Sequence, residues 1–231
     1  MDVVGSAVRR WFFQMIQFHS GVLSSIAVVG AHCDDIAIGA GATLLMLARQ
    51  VRGLEVHALV MSGGGTARAD EEAAALEAFC PGAKVRLTVH DHADGRLPAS
   101  WDVVKDRLSQ FRQTCDPQVV FAPQRDDVHQ DHRLMAKLMP TEFRDHLVLG
   151  YEILKWESDL PNPSHYHPIP DDLADLKVEL LHRHYPSQSA HHWFDRESFL
   201  SLMRIRGVQC RSRYAEAFIV EKATISFSES L

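Results

Sequence analysis

The hydrophobic pattern of this chain alternates between two periods. Short β-branched runs at 25–30, 55–61, 85–89, 119–122 and 147–152 predict five strands, the first of them buried. Between them, helical spacing at 38–51, 70–79, 100–114 and 131–139 predicts four helices. The acids that open 70–79 fall in the first helical turn, where the dipole favours them, and Pro123 closes the fourth strand. Alternation of this kind implies right-handed crossovers and a mainly parallel sheet. After Trp156 the pattern changes to a Pro-rich loop, then helices near 171–184 and 196–205, then a strand at 217–221. At the start, Val3, Val4, Val8, Trp11, Phe12 and Ile16 have the spacing of an amphipathic helix. Its expected place is on the body or on a partner subunit rather than on a membrane. With no internal repeat, low-complexity tract or clear linker, the expectation is one α/β domain over 1–231. Residues 1–24 form its N-terminal helix and 157–231 a cap segment of the same domain.

In open parallel sheets, ligands sit at the carboxyl ends of the strands. Two polar stretches fall there: "AHCDDIAIGAG" (31–41) after the first strand and "PQRDDVHQDHR" (123–133) after the fourth. A histidine and two aspartates against a buried apolar run are costly unless they are paired or coordinate a metal. His32 and Asp35, three residues apart, can point the same way with Asp34 beside them. His129 and His132 repeat that spacing at the entry to another helix. Together His32, Asp35 and His132 supply two imidazoles and one carboxylate, the three-ligand set of a catalytic zinc with an open position for water. Zinc lowers the pKa of such a water towards ~7, and Asp34, which is not a ligand, can take its proton. His129, oriented by Asp131 or Asp127, can supply a proton or stabilise an oxyanion. These are the parts that hydrolysis of an amide requires.

Composition narrows the partners. At 231 residues the chain can bury a real core, and a net charge of −6 argues against non-specific nucleic-acid binding. Fourteen histidines raise the expectation of metal chemistry. Cys33, Cys80, Cys115 and Cys210 are scattered with no CxxC, which excludes a zinc knuckle and a disulfide framework. A reducing, cytoplasmic compartment is expected. The first residues lack the order of a signal peptide, and no run reaches the length of a membrane span.

The stretch "AHCDDIAIGAGATL" resembles the AHPDD…GxGGTL signature of the PIG-L/LmbE-like zinc N-deacetylases, and "DVHQDHR" resembles their DxHPDHR. Weaker likenesses cover most of the chain: "RADEEAAAL", "DGRLP", "KVELLHRHYPSQ" and "RIRGVQCRSRYAEAF". The resemblance implies a Rossmann-like α/β domain with helices on both faces of the sheet. It also implies removal of acetyl from N-acetylglucosamine units of glycolipid anchors, thiol precursors or antibiotic glycosides. Its metal ligands fall on His32, Asp35 and His132, its general base on Asp34 and its electrophilic imidazole on His129, in agreement with the residue-level reading. The implied cofactor is one Zn2+ per chain, with another divalent transition metal as the alternative. Cys33 and Gln130 stand where the family usually has proline, Ile36 for a frequent glutamate and Ala42 for a frequent glycine. Loss of both prolines is expected to loosen the two metal-bearing turns.

Other readings are weaker. Gly39 and Gly41 do not make a dinucleotide loop, because two carboxylates precede them where a pyrophosphate would sit. Cys33 is expected to face packing rather than metal, and His90–Asp91–His92 lacks a third ligand for a second site. Arg68, Asp127 and Trp156 are the expected substrate contacts, Trp156 by stacking on a sugar face. The expected partner is a small amino-sugar substrate, and a homo-oligomer is compatible with the sequence. The alternatives are hydrolysis of another amide, such as a thiol-conjugate or longer N-acyl group, and a non-catalytic sugar- or nucleotide-binding domain. Asp34 argues against the last, since a pure binder has no use for a non-ligand carboxylate there.

Overall fold

The structure is a computed structural model that describes residues 23–225. The helix expected at the N-terminus lies outside the described residues. The chain runs β1 (Ser25–Gly30), α1 (Asp35–Gln50), β2 (Glu55–Val60), α2 (Ala67–Phe79), β3 (Lys84–Val89), α3 (Trp101–Thr114) and β4 (Val119–Pro123). It continues through α4 (Gln130–Glu142), β5 (Leu147–Tyr151), β6 (His165–Ile169), α5 (Asp171–His184), α6 (Arg196–Gln209) and β7 (Tyr214–Ile219). Among the described residues the strands form one seven-stranded sheet in the order β3-β2-β1-β4-β5-β7-β6. The first five are parallel, and β7 pairs antiparallel with both β5 and β6.

The strand period of two divides the core between the two faces of the sheet. Ile26 and Val28 of β1 join Val119 and Phe121 of β4 in the cluster that includes Leu44 of α1, Phe79 of α2 and Leu181 of α5. Ala27 and Val29 join Val120 and Ala122 in the opposite cluster, with Leu108 of α3 and Met135 of α4. This double burial is why β1 and β4 read as near-continuous apolar runs. Gly39 and Gly41 serve this packing from inside α1. A Cβ on Gly39 would lie 2.2 Å from the Tyr151 ring, and one on Gly41 would lie 2.7 Å from Phe79. A buried ion pair fastens β7 to the same helix. Lys177 donates to Glu216 and to the Ile38 carbonyl, and the Glu216 carboxylate accepts the N–H groups of Ala42 and Thr43.

The structure shifts several expected boundaries: α2 begins at Ala67, α6 runs to Gln209 and β7 spans Tyr214–Ile219. α1 begins at Asp35 rather than Ile38, because its polar opening is buried rather than looped out. α4 continues through Pro140 to Glu142. Pro140 gives up the bond to the Ala136 carbonyl, yet the last turn closes beyond it, with the Phe143 N–H bonding the Met139 carbonyl at 2.8 Å. The Pro-rich loop contains β6, whose Pro168 is tolerated because β6 lies at the edge of the sheet.

The strand order locates the site. From β1 the chain runs outward to β2 and β3, then returns to the other side for β4 and β5. The crevice between the carboxyl ends of β1 and β4 is therefore the topological switch point where such sheets take their ligands.

Candidate active site

Both polar stretches open onto this crevice. From the turn after β1 come His32, Asp34 and Asp35, each buried. From the turn after β4 come Asp127, His129, Asp131 and His132, of which only His129 is not fully buried.

His32, Asp35 and His132 converge. His32 Nδ1 lies 3.1 Å from His132 Nε2 and 3.6 Å from Asp35 Oδ2, and His132 Nε2 lies 3.3 Å from Asp35 Oδ1. Asp35 is itself fixed at the start of α1, where its Oδ2 accepts the N–H groups of Ala31 and His32 at 2.9 Å each. The far side of each imidazole meets carboxylates. His132 Nδ1 is 3.0 Å from Asp127 Oδ2, while His32 Nε2 is 3.1 Å from Asp131 Oδ2 and 3.0 Å from Asp94 Oδ1. Carboxylates behind the outer nitrogens, with the inner nitrogens aimed at one point beside a carboxylate, are the arrangement in which histidines bind a metal. The donor set therefore fits a divalent cation. Among the described residues His32, His129 and His132 also bring one ring nitrogen each within 4.8 Å of one another, and so do His32, Asp94 and Asp131 with one ligand atom each.

The charges follow from these contacts. Burial would raise the Asp35 carboxyl, but His132 and His32 outweigh it and hold it well below the usual carboxylate range. Burial would lower His132, but Asp35 and Asp127 bring it up to about 9. His32 is likewise lifted well above the ordinary imidazole range, against its burial, by Asp131, Asp35 and Asp94. Asp34 goes the other way: burial, and then the charge of Asp35, raise its pKa.

Asp34 occupies the position before α1 with a φ of 113°, in the left-handed region. For a residue other than glycine this costs on the order of 1–3 kcal/mol and persists only where the surroundings enforce it. Its side chain accepts from Arg68 Nη2 at 3.0 Å, its N–H donates to Glu72 Oε2 at 2.9 Å, and Arg68 also donates to the Cys33 carbonyl. Arg68, expected to grip substrate, is thus paired with Asp34. Cys33 is fully buried with its Sγ 3.4 Å from the Ser62 carbonyl, and burial raises its thiol.

Three expected roles change. Asp127 was expected to touch substrate. Instead it is buried, with Oδ1 accepting the His129 N–H and Oδ2 shared by His132 and Lys155. Asp131 was expected to orient His129. Its carboxylate turns instead to His32 and accepts the N–H groups of Gly95 and Leu97. His129, expected to supply a proton or to stabilise an oxyanion, is left with the second role. Burial, and then His132 and His32, lower its pKa and outweigh the charges of Asp131 and Asp35, which raise it. The Asp131 N–H donates to His129 Nδ1 at 3.3 Å, so a neutral His129 carries its proton on Nε2 and remains a hydrogen-bond donor.

Trp156 is 66% exposed, with its ring edge-on to His191 and Trp193 at 5.1 and 6.2 Å between centroids. The preceding residue, Lys155, pairs with Asp127 at 3.0 Å and Asp159 at 2.6 Å, which ties this loop to the base of the site. Gln130, in place of a proline, donates to the Gly95 carbonyl at 3.1 Å and holds its turn to the 94–97 loop.

Glu72, Asp94, Lys155 and Tyr185 were missed by sequence reasoning. Glu72 lay among acids credited to the helix dipole, although its place one turn after Arg68 puts both on one face of α2. Asp94 lay in the quoted "DGRLP". For Lys155 and Tyr185, nothing local in the sequence signals their partners.

The chain is similar to known proteins in sequence and in structure. Residues 27–141 match the model of the PIG-L family, described as GlcNAc-PI de-N-acetylase. The chain is similar to YaiS of Escherichia coli K12, described as an uncharacterized deacetylase, with 26% identity over 69% of this chain and 89% of YaiS. In structure it is similar to the N,N'-diacetylchitobiose deacetylase of Pyrococcus horikoshii, with a TM-score of 0.67, 22% identity and coverage of 86% of this chain and 84% of that one. The same fold is found in GalB, the 4-carboxy-2-hydroxymuconate hydratase of Pseudomonas putida KT2440, with a TM-score of 0.63, 19% identity and coverage of 90% and 100%.

Proposed function

We propose a reaction for this chain from one premise: it belongs to the PIG-L/LmbE-like family of hydrolytic N-deacetylases. The reaction is metal-dependent hydrolysis of the N-acetyl group of an N-acetylglucosamine-type amino sugar, with zinc the first choice of metal. His32, Asp35 and His132 would hold it. A divalent ion in that position supplies Lewis acidity, acidifying water and polarising a carbonyl. One observation carries the reading: a convergent His–Asp–His set has each imidazole backed by a carboxylate, and Asp34, next to Asp35 in the chain, is a buried carboxylate with a raised pKa that is not part of the set.

The protein groups divide the remaining work. Asp34, its pKa raised by burial and by Asp35, removes the proton of the attacking water and can return it to the leaving amine. His129, neutral and protonated on Nε2, donates to the carbonyl oxygen as it gains charge. Asp127 and Asp131 fix the rings of His132 and His32. Arg68 holds the Asp34 carboxylate, and Trp156 offers an exposed face at the rim on which a sugar can stack.

Two expected outcomes follow. His129→Ala should lower turnover by roughly 10² to 10³ with the Michaelis constant little changed, the usual effect of removing one oxyanion donor. Weakened affinity with intact turnover would instead make His129 a sugar-binding residue. A series of N-acyl glucosaminides of increasing chain length tests the substrate class. Hydrolysis should be fastest for acetyl, whereas a maximum at a longer acyl group would favour the alternative amide. Binding of every member without hydrolysis would leave a sugar-binding domain.

A further inference from the structure

The base sits in a conformation that its own residue type disfavours. Glycine would adopt the left-handed region freely, but position 34 must carry a carboxylate, so the hold has to come from outside the turn. Helix α2 supplies it. Arg68 donates to the Cys33 carbonyl, and Glu72 Oε2 accepts the Asp34 N–H at 2.9 Å. These are the two ends of one peptide bond, so α2 grips the plane whose tilt sets φ at Asp34. Behind Glu72, the Tyr185 hydroxyl donates to the same Oε2 at 2.8 Å. Both Glu72 and Tyr185 are 0% exposed, which keeps them from any substrate that approaches through solvent. Among the described residues Glu72 Oε1 has no hydrogen-bond partner. A fully buried carboxyl with one idle oxygen is an expensive way to fill space.

We propose that Glu72, braced by Tyr185, is a positioning residue that locks the Cys33–Asp34 peptide and thereby aims the Asp34 carboxylate. The inference rests on Asp34 being the general base. That premise is tested separately by Asp34→Asn, and an active Asp34→Asn protein would remove the premise without reference to Glu72.

Three variants test the lock, each read as turnover, Michaelis constant and metal content. Glu72→Leu removes the acceptor and should lower turnover by about 10², the effect of misplacing a reacting group by an ångström or so, with metal content and Michaelis constant within about twofold of the parent. Glu72→Gln keeps an oxygen for the Asp34 N–H and should recover turnover to within roughly fivefold of the parent. Tyr185→Phe loses the brace alone and should fall by roughly three- to tenfold in turnover only. Parent-like turnover in Glu72→Leu overturns the proposal. So does a loss carried by the Michaelis constant or by vanished metal, or a Glu72→Gln protein as poor as Glu72→Leu. If Glu72→Leu does not fold, the other two decide: full turnover in Tyr185→Phe with a collapse in Glu72→Gln overturns it as well.

Discussion

Asp34→Asn should keep its metal and lose turnover by ~10² to 10⁴, the usual effect of removing a positioned general base. The substitution is close to isosteric, and its amide oxygen can still accept from Arg68, which lies 3.0 Å from Asp34 Oδ2. Asparagine also tolerates the left-handed backbone better than most residues, so the φ of 113° adds no new strain. What disappears is the proton acceptor. Purified protein assayed for acetate release and by elemental analysis separates the roles. If Asp34→Asn empties the site of metal, Asp34 is a ligand and Asp35 the base.

His132→Ala should lose most of the metal and, with it, nearly all activity. Two protein ligands hold a divalent ion far less tightly than three, so the parent should carry about one divalent ion per chain and the variant far less. The truncation also strands Asp127, which is buried and would be left with Lys155 and the His129 N–H. The pH dependence has a definite sign. Without metal, His132 stands at about 9 and His32 well above the ordinary range, and both must give up a proton to bind. Metal retention by the parent should therefore weaken as pH falls below neutrality and strengthen as pH rises towards 9. Equilibrium dialysis at several pH values reads this directly, and elemental analysis showing a full complement of zinc in His132→Ala would remove His132 from the ligand set.

Much of the fold was legible because β1 and β4 are buried on both faces, which leaves them almost wholly apolar, and because their polar turns break that pattern abruptly. The reading failed where tertiary contacts override local pattern. β6 is short, polar and carries Pro168, and it exists because β7 offers it a partner. Asp35 enters a helix because two backbone N–H groups and two imidazoles meet its carboxylate. At the site, residue types and spacing led to His32, Asp34, Asp35, His129 and His132 together. The partners of the carboxylates were not legible. Asp131 sits beside His129 in the chain, yet it faces His32 across the crevice. Glu72 and Tyr185 lie 113 residues apart and share one oxygen with the N–H of the base. Distances of this kind depend on how α1, α2 and α5 pack, which spacing along a single segment does not encode.

Acetate release measures the proposed metal-dependent deacetylation most directly. The parent protein, stripped by chelator and then titrated with zinc, should be given an N-acetylglucosaminyl glycoside. Acetate and free amine should appear in equal amounts, be absent from the stripped protein, and return to a maximum near one equivalent of zinc per chain. Equal acetate release with and without metal, or no acetate from any N-acetylglucosaminyl compound at full metal loading, would contradict it.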